Sequence, residues 1–215
     1  IDYSLKTSAP ILGINLGRLG FLTDLTIGEF TAKLDDYIGL LRGRKLKFRE
    51  RMLLDVEVVR EKQTIFRDIA LNDAVIYKGL ISRLISVKFF CNRKFVLETR
   101  CDGVIVSTPT GSTAYSLSSG GPIVTPEMES IIVTPLCPHI LSVRPMVFSG
   151  KDKMVFKIEK SLQETILQID GRNVQELSDA DEVLVRASTK KLNFISLKNK
   201  TFYQTLRKKL HMGKF

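Results

Sequence analysis

The sequence contains no tryptophan, two histidines and three cysteines among its 215 residues. Two histidines argue against a histidine-rich metal centre. Three cysteines have neither the spacing of a metal site nor the even number of a disulfide framework, so we expect reduced thiols. No apolar run approaches the roughly 20 residues that a membrane-spanning helix needs, and the first residues lack a signal-peptide pattern. Together these absences predict a cytoplasmic protein whose side chains hold no metal.

The chain is strongly basic. It has 33 lysines and arginines against 23 aspartates and glutamates, a formal net charge of +10. Such a balance favours an anionic partner, either a nucleic acid or a phosphorylated small molecule. The basic residues are scattered, apart from Arg42–Arg51 and Arg207–Lys214, and both runs are typical of solvated surfaces. A nucleic-acid-binding function therefore rests on charge alone and predicts a strongly salt-dependent affinity.

The first part of the chain has the pattern of an α/β layer. Pro10–Ile14 is a short apolar strand, and the glycines around its end permit a tight turn and close approach of the backbone to a phosphate. Thr26 and Glu29 have the spacing of a helix capping box. Because apolar residues at helical spacing follow, we predict one helix from Ile27 to Leu41.

From Lys45 onward the pattern changes to short strands. Apolar and charged residues alternate over Leu54–Val58. Ile85–Phe89 and Phe95–Leu97 flank a turn at Asn92, which indicates a hairpin. Further strands are predicted over Met154–Ile158, Ile166–Ile169, Val183–Val185 and Leu192–Phe194. Many short strands at nearly regular spacing predict a β-sandwich, and the overall fold class is α/β plus all-β.

One stretch, Asp102–Pro122, is rich in small and hydroxylated residues. Val104–Val106 is an apolar β-branched run suited to a buried strand, and it leads into a turn. Ser112 and Thr113 are natural N-cap residues, so we predict a helix that begins beside them and continues through Leu117. The free backbone N–H groups at its start would lie among several hydroxyls. The sequence therefore predicts a polar, anion-tolerant cradle at the end of a strand.

This stretch closely resembles the signature region of the NAD kinases, and similar segments occur along most of the chain. They are Gly13–Leu22, Leu71–Asp73, Ile123–Val124, Thr134–His139 and Arg144–Pro145. A match of this length is far more specific than a short glycine motif. The resemblance implies an enzyme that transfers the γ-phosphoryl group of ATP to the 2′-hydroxyl of the adenosine ribose of NAD, which makes NADP.

The resemblance also implies an N-terminal Rossmann-like α/β domain, a C-terminal β-sandwich domain and a nucleotide site in the crevice between them. In this chain, residues 1–44 would be a remnant of the first domain. Residues 45–198 would form the β-sandwich nucleotide-binding domain. Residues 199–215 carry Phe202, Leu206 and Leu210 at helical spacing and would return as a helix to the α/β layer.

The family's Gly-Gly-Asp-Gly-Thr motif supplies the aspartate held to be the general base, and it contacts the phosphates of ATP. It normally lies shortly before the strand that matches Pro10–Ile14, and nothing from Ile1 to Ala9 resembles it. We therefore expect the catalytic aspartate upstream of Ile1 and no catalytic residue in this chain. Two alternatives stay open for this polypeptide: an active kinase, or a non-catalytic fragment that binds NAD or NADP.

The same resemblance implies which residues bind the dinucleotide. Asn72 would bind the adenine of NAD, and Asp73, where many members have glutamate, would contact the same nucleotide. Asp102 would contact the nicotinamide end. Arg83 and Arg100 match positions near the bound dinucleotide, where a guanidinium suits a pyrophosphate or a ribose phosphate.

A further set is similar to the family's adenosine-binding stretch. It comprises Thr110, Thr113, Ala114, Tyr115, Ser116, Leu117 and Ser118. The ring of Tyr115 offers an aromatic wall for the nucleoside. Arg172 completes the predicted NAD-binding residues. It ends a late family motif, Asp170-Gly171-Arg172, in which many members carry glutamine at the third position.

The remaining implications concern cofactors, partners and alternatives. Mg²⁺ would accompany ATP and be held by its phosphates rather than by a protein cage. The expected partners are NAD, ATP and NADP, with no nucleic acid or membrane, and the family favours dimers or tetramers. His139, between a proline and apolar residues, would be structural and near a subunit contact.

A related lipid or sphingoid kinase is an alternative function. The segments Thr113–Tyr115 and Thr134–His139 argue against it, because they match the NAD-specific branch of the superfamily.

Overall fold

Strands are the commonest secondary structure in the computed structural model, which describes residues 1–17, 20–23, 25–43, 46–79, 83–159, 165–197 and 201–213. The helices are α1 (Asp2–Thr7), α2 (Ile27–Ala32), α3 (Leu34–Arg42), α4 (Tyr115–Ser118) and α5 (Phe202–Leu210), with a 3₁₀ turn at Gly111–Thr113. Among the described residues, no helix has the length and apolar character needed to cross a membrane.

The described residues form strands that lie mostly after residue 46. They are β1 (Ile14–Asn15), β2 (Leu25–Thr26), β3 (Lys47–Arg60), β4 (Gln63–Ala70), β5 (Asp73–Lys78), β6 (Ile85–Cys91), β7 (Lys94–Cys101), β8 (Gly103–Ser107), β9 (Ser130–Leu136), β10 (Met146–Ser149), β11 (Lys153–Glu159), β12 (Thr165–Ile169), β13 (Arg172–Leu177) and β14 (Glu182–Ser196). The hairpin predicted around Asn92 is confirmed as β6 and β7.

The larger of two compact units, Met52–Lys190, contains most of two six-stranded sheets; only the start of β3 and the end of β14 belong to the other unit. One sheet has the order β10-β9-β8-β5-β12-β13 and the other has the order β4-β3-β14-β11-β6-β7. Alternate residues of both sheets point inward and build one apolar core, which includes Val56, Ile76 and Phe156. This arrangement confirms the predicted β-sandwich.

Aromatic rings join the two sheets inside this core. The Phe89 and Phe156 rings stack with centroids 4.7 Å apart on neighbouring strands of the second sheet. Phe148, on the first sheet, meets Phe89 edge-on at 5.3 Å. Each aromatic pair contributes about 0.5–1.5 kcal/mol beyond the area that it buries.

The smaller unit consists of Ile1–Arg51 and Lys191–Phe215. Within it, β1 and β2 pair in parallel, and Ile11 forms a parallel bridge with Phe194. The ring of Phe202, in α5, lies 6.0 Å from that of Phe21. Helix α5 therefore contacts residues near the start of the chain, within the same unit.

The single helix predicted from Ile27 to Leu41 is wrong, because α2 ends at Ala32 and α3 begins at Leu34. The predicted capping box of Thr26 is present. The Thr31 hydroxyl bonds to the carbonyl groups of Ile27 and Gly28, a contact that competes with the helical backbone and bends helices.

The strand predicted over Pro10–Ile14 is shorter than expected, since only Ile11 and β1 pair. Pro10 lacks an amide hydrogen, so it cannot donate a hydrogen bond to a neighbouring strand. Gly13 lies directly against the Leu22 backbone, since a Cβ at position 13 would be 2.2 Å from the Leu22 carbonyl oxygen. Conversely, the two strands predicted over Val183–Val185 and Leu192–Phe194 are one continuous strand, β14.

Candidate functional site

Two motifs that are distant in sequence meet where β5 begins and β8 ends. The Thr108 hydroxyl donates to the Leu71 carbonyl oxygen at 2.6 Å, and the Thr108 N–H donates to the Asn72 carbonyl oxygen at 2.9 Å. One residue further in, Asp73 and Ser107 are cross-strand partners. The antiparallel register of β5 and β8 thus brings the predicted adenine-binding pair beside the start of the hydroxyl-rich stretch.

Gly111 is required for this contact. A Cβ at position 111 would lie 2.0 Å from the Asn72 carbonyl oxygen, a separation that no side chain can adopt. The Gly111 N–H donates to the Thr108 hydroxyl at 3.0 Å, which holds the turn against the strand end. Close approach of two backbones is one of the specific uses of glycine, and here it joins the two motifs.

Asp73 lies almost fully inside the protein, with 5% of its surface exposed. Burial, followed by repulsion from Asp170, raises the pKa of Asp73 to about 6. No described residue donates a hydrogen bond to its carboxylate. The hydroxyl of its cross-strand neighbour Ser107 is fully buried and has no partner among the described residues. Buried polar groups are normally satisfied, so this position is suited to donors from a ligand.

Asp170 supports the same strand end from the opposite side. Its carboxylate accepts the backbone N–H groups of Leu71, Asn72 and Asp73 at 2.9, 2.7 and 3.2 Å. The side-chain amide of Asn72 makes no hydrogen bond among the residues that the structure describes, and it is half-buried. The backbone is therefore fixed while the side chains at 72 and 73 are left for a ligand.

The predicted N-cap at Ser112 and Thr113 is wrong. The Ser112 hydroxyl donates to the Pro109 carbonyl oxygen at 2.7 Å and accepts the Val124 N–H at 3.1 Å. The Thr113 hydroxyl donates to the Thr110 carbonyl oxygen at 3.1 Å. Both hydroxyls thus hold the loop together, because a buried hydroxyl takes the nearest backbone partner. Helix α4 begins only at Tyr115 and has four residues, too few for a helix N-terminal anion site.

The predicted adenosine-binding stretch divides into exposed and buried residues. Tyr115 is 47% exposed, and Ser118 is exposed as well. Ser116 is fully buried, and its hydroxyl lies 3.0 Å from that of Thr134. Gly121 lies directly against this hydroxyl, since a Cβ at position 121 would be 2.2 Å from the Ser116 hydroxyl oxygen. Thr110 is buried, and Thr113, Ala114 and Leu117 are half-buried. The Tyr115 ring is therefore the largest accessible group of the stretch.

Asp102 lies at the opposite end of the β5–β8 pair. Gly103 pairs with Tyr77, four residue steps or about 14 Å along the strands from the pair of Asp73 with Ser107. The Asp102 carboxylate lies 2.6 Å from the Lys78 ammonium group, and both side chains are partly exposed. This ion pair was not anticipated from the sequence, where nothing marks Lys78 as different from other lysines.

The predicted arginines are exposed, whereas Asp73 is buried. Arg83 and Arg100 are exposed. Arg172 is also exposed, and its guanidinium lies 3.3 Å from the Asp68 carboxylate. His139 is exposed rather than enclosed, and its backbone N–H donates to the Arg100 carbonyl oxygen at 2.8 Å. These groups lie at the protein surface, where they can meet the phosphates of a bound molecule without burial of charge.

Known proteins share these elements. Residues 71–197, more than half of the chain, match the family described as ATP-NAD kinase C-terminal domain. The chain belongs to the NAD kinase family. An NAD kinase of Desulforamulus reducens is 40% identical over 205 residues, which are 95% of this chain and 70% of the relative. One from Aquifex aeolicus is 42% identical over 208 residues, 97% of this chain and 74% of that protein.

Solved NAD kinase structures have the same fold. A yeast NADH kinase complexed with NADH has a TM-score of 0.87 and 28% identity, and the match covers 96% of this chain and 60% of the yeast chain. An NAD kinase from Archaeoglobus fulgidus in complex with ATP has a TM-score of 0.73 and 28% identity, over 94% of this chain and 74% of that chain. The family predicted from the sequence is therefore confirmed, and its members are phosphotransferases.

Proposed function

We propose that the protein transfers the γ-phosphoryl group of ATP to the 2′-hydroxyl of the adenosine ribose of NAD and so produces NADP. The observation that carries this proposal is the junction between Leu71–Asp73 and Thr108–Gly111. Leu71 and Thr108 are 37 positions apart, yet they are in contact, and this proximity supports a single nucleotide site built from both segments. The relatives named NAD kinase favour this reaction over that of a lipid or sphingoid kinase.

The binding residues of this proposal are those predicted from the sequence. They are Asn72, Asp73, Arg83, Arg100, Asp102, Thr110, Thr113, Ala114, Tyr115, Ser116, Leu117, Ser118 and Arg172. The Asn72 amide can pair with the adenine edge, since it offers both a donor and an acceptor. The Asp73 carboxylate, ionised above a pKa of about 6, can accept hydrogen bonds from ribose hydroxyls or the adenine amino group.

At the other end of the strand pair, Asp102 is proposed to contact the nicotinamide half. An extended dinucleotide would then lie along β5 and β8, from Asp73 to Asp102. Lys78 pairs with Asp102 in the free chain, so the nicotinamide amide would share this carboxylate with the lysine. The net charge of +10 attracts a dinucleotide that carries two phosphates, and Arg83 and Arg100 are available to its pyrophosphate.

Mg²⁺ is proposed as the ion that accompanies ATP. Magnesium in kinase sites is held largely by substrate phosphates, where it neutralises charge on the transferred group. No group of three histidine, cysteine, aspartate or glutamate side chains that could hold a metal occurs in the described residues. The catalytic general base is not assigned to any residue of this chain.

Assembly and location stay predictions. A homodimer or tetramer is proposed because the family resemblance implies it, and light scattering at several protein concentrations measures it directly. A mass that remains that of one chain at all concentrations would contradict it. Cytoplasmic location likewise remains an expectation from the sequence.

The function is tested by calorimetric titration of the 215-residue chain with NAD and with NADP, beside a coupled assay of NADP formation with ATP and Mg²⁺. Asn72→Ala and Tyr115→Ala are expected to weaken or abolish dinucleotide binding. The matched controls are Asn193→Ala and Tyr3→Ala, which remove exposed side chains of the smaller unit. Absence of binding by a folded sample would overturn the proposal.

The same experiment separates the second candidate function. Dinucleotide binding without turnover, at any enzyme concentration, would identify this chain as a non-catalytic NAD- or NADP-binding module. Salt-sensitive binding to DNA or RNA with no competition by NAD would instead support the function suggested by charge alone.

A further inference from the structure

Among the residues that the structure describes, Asp170 and Thr108 supply a hydrogen-bond partner to every backbone polar group of Leu71–Asp73. The three N–H groups all donate to the Asp170 carboxylate. The carbonyl oxygen of Leu71 accepts the Thr108 hydroxyl, and that of Asn72 accepts the Thr108 N–H. The carbonyl oxygen of Asp73 accepts the Asp170 N–H at 3.0 Å. Six hydrogen-bonding groups are thus held between two residues.

The backbone at Asp170 is shaped to present its carboxylate in this way. Asp170 and Gly171 form the two-residue turn between β12 and β13, with φ angles of +47° and +80°. Left-handed conformations at both central positions define the type I′ hairpin turn, and aspartate tolerates the first position better than most residues. The turn places the carboxylate against three consecutive N–H groups rather than in solvent.

These hydrogen bonds lie at the start of a strand that carries proposed binding residues, whereas ordinary capping bonds lie at the ends of helices. Residues 71–73 immediately precede and begin β5, and their side chains include the two that are proposed to meet the nucleotide. Since these hydrogen bonds hold every backbone donor and acceptor of the segment, they set the direction in which the Cα–Cβ bonds of Asn72 and Asp73 point. Preorganisation of this type lowers the entropy cost of binding.

We propose that Asp170 and Thr108 are positioning residues of the dinucleotide site, which hold Asn72 and Asp73 in their binding orientation from opposite sides. The inference rests on the proposed function, because it takes Asn72 and Asp73 as nucleotide-binding residues. Neither Asp170 nor Thr108 needs to touch the dinucleotide. They act through the backbone of the segment between them.

Asp170 also acts on Asp73 through its charge. Burial raises the pKa of Asp73 to about 6, and repulsion from the Asp170 carboxylate adds to this effect. Asp170→Asn keeps the size of the side chain and its tolerance for a left-handed turn, but replaces one acceptor oxygen with a donor and removes the charge. The variant should therefore lower the pKa of Asp73, which a purely structural contact would not do.

The first measurement needs no ligand. Hydrogen exchange of the free chain should show protection of the amides of residues 71–73, and Asp170→Asn should reduce this protection strongly. Asp152→Asn is the matched control, since Asp152 accepts the Ser149 N–H at 3.0 Å in another turn. Exchange at residues 71–73 that is the same in Asp170→Asn as in the unchanged protein would overturn the inference, whatever the chain binds.

The second measurement is titration with NAD over a range of pH. Asp170→Asn should bind at least about tenfold more weakly than Asp152→Asn, and its pH profile should move to lower pH. Equal affinities and equal profiles in the two variants would contradict a positioning role. If the unchanged protein binds no NAD while the exchange result holds, the proposed function fails and the backbone clamp stands.

Thr108 provides a test that does not depend on the Asp170 turn. Thr108→Val preserves the shape of the side chain but removes the hydroxyl, so NAD affinity should fall by about tenfold or more. Thr108→Ser keeps the hydroxyl and should restore affinity to within about threefold of the unchanged protein. Thr108→Val with unchanged affinity, or Thr108→Ser as weak as Thr108→Val, would contradict the role of the hydroxyl.

Discussion

The two ends of the β5–β8 pair carry carboxylates in opposite environments. Asp73 is buried, accepts no hydrogen bond among the described residues and has a raised pKa of about 6. Asp102 is one-third exposed and lies 2.6 Å from the Lys78 ammonium group. The comparison shows that one strand pair can carry a buried carboxylate at one end, at Asp73, and a hydrated carboxylate paired with a lysine at the other, at Asp102.

The difference has a physical origin in what covers each end. At the Asp73 end, the turn that contains Gly111 packs against the Asn72 backbone and Asp170 closes the other side. At the Asp102 end, the neighbouring Lys78 side chain is long and partly solvated. A buried carboxylate favours ligands whose donors match its geometry, because a buried polar group without a partner costs free energy. An exposed ion pair, in contrast, contributes little to stability.

The largest effect is expected from Gly111→Ala, which destroys the junction at the buried end. The new Cβ would lie 2.0 Å from the Asn72 carbonyl oxygen, so the free energy of unfolding should fall by about 3 kcal/mol, the upper end of the usual cost of overpacking. Chemical denaturation measures this change. Gly39→Ala is the control, since a Cβ at position 39 meets nothing within 4 Å and stabilises a helix. Similar stabilities for the two variants would refute the close approach.

The next effect separates the two carboxylates by pH. The folded-state pKa of Asp73, about 6, lies above the unfolded value of 3.8. The native state therefore binds more protons between these values, and stability falls by about 3 kcal/mol as pH rises through this window. Asp73→Asn should remove this fall and make the protein more stable at pH 7 while it weakens NAD binding.

Asp102→Asn is the partner variant for that test. Because Asp102 is partly exposed and paired with Lys78, its replacement should leave the fall in stability between about pH 4 and 6 in place. Unfolding curves measured at several pH values for both variants decide the matter. An unchanged pH dependence in Asp73→Asn would show that the buried carboxyl does not titrate as described.

The smallest effect is expected from Lys78→Met, which breaks the ion pair at the exposed end. Partly solvated pairs contribute below about 1 kcal/mol, so the stability change should be small and should shrink further with added salt. Thermal unfolding at low and high ionic strength measures it. A loss as large as that of Gly111→Ala would mean that the two ends are not as different as their exposure indicates.

Much of the fold could be predicted because its signals are local. Alternating residues such as Met154, Phe156 and Ile158 point to one face of a strand whatever the rest of the chain does. The break between α2 and α3 was not predictable in this way, because the periodicity of apolar residues continues across Lys33. The role of Ser112 was not predictable either, because its hydroxyl meets the Val124 N–H only when the loop folds back.

The sequence by itself determined the strand pattern, the basic charge and the family, since these follow from residue types and motifs that are read along the chain. Only the tertiary structure decided which distant groups complete the site. Asp170 is 97 positions from Asp73, and it reaches residues 71–73 because β12 and β8 flank β5 in one sheet. Hydrogen bonds between distant segments depend on sheet order and register, and neither is written in local sequence.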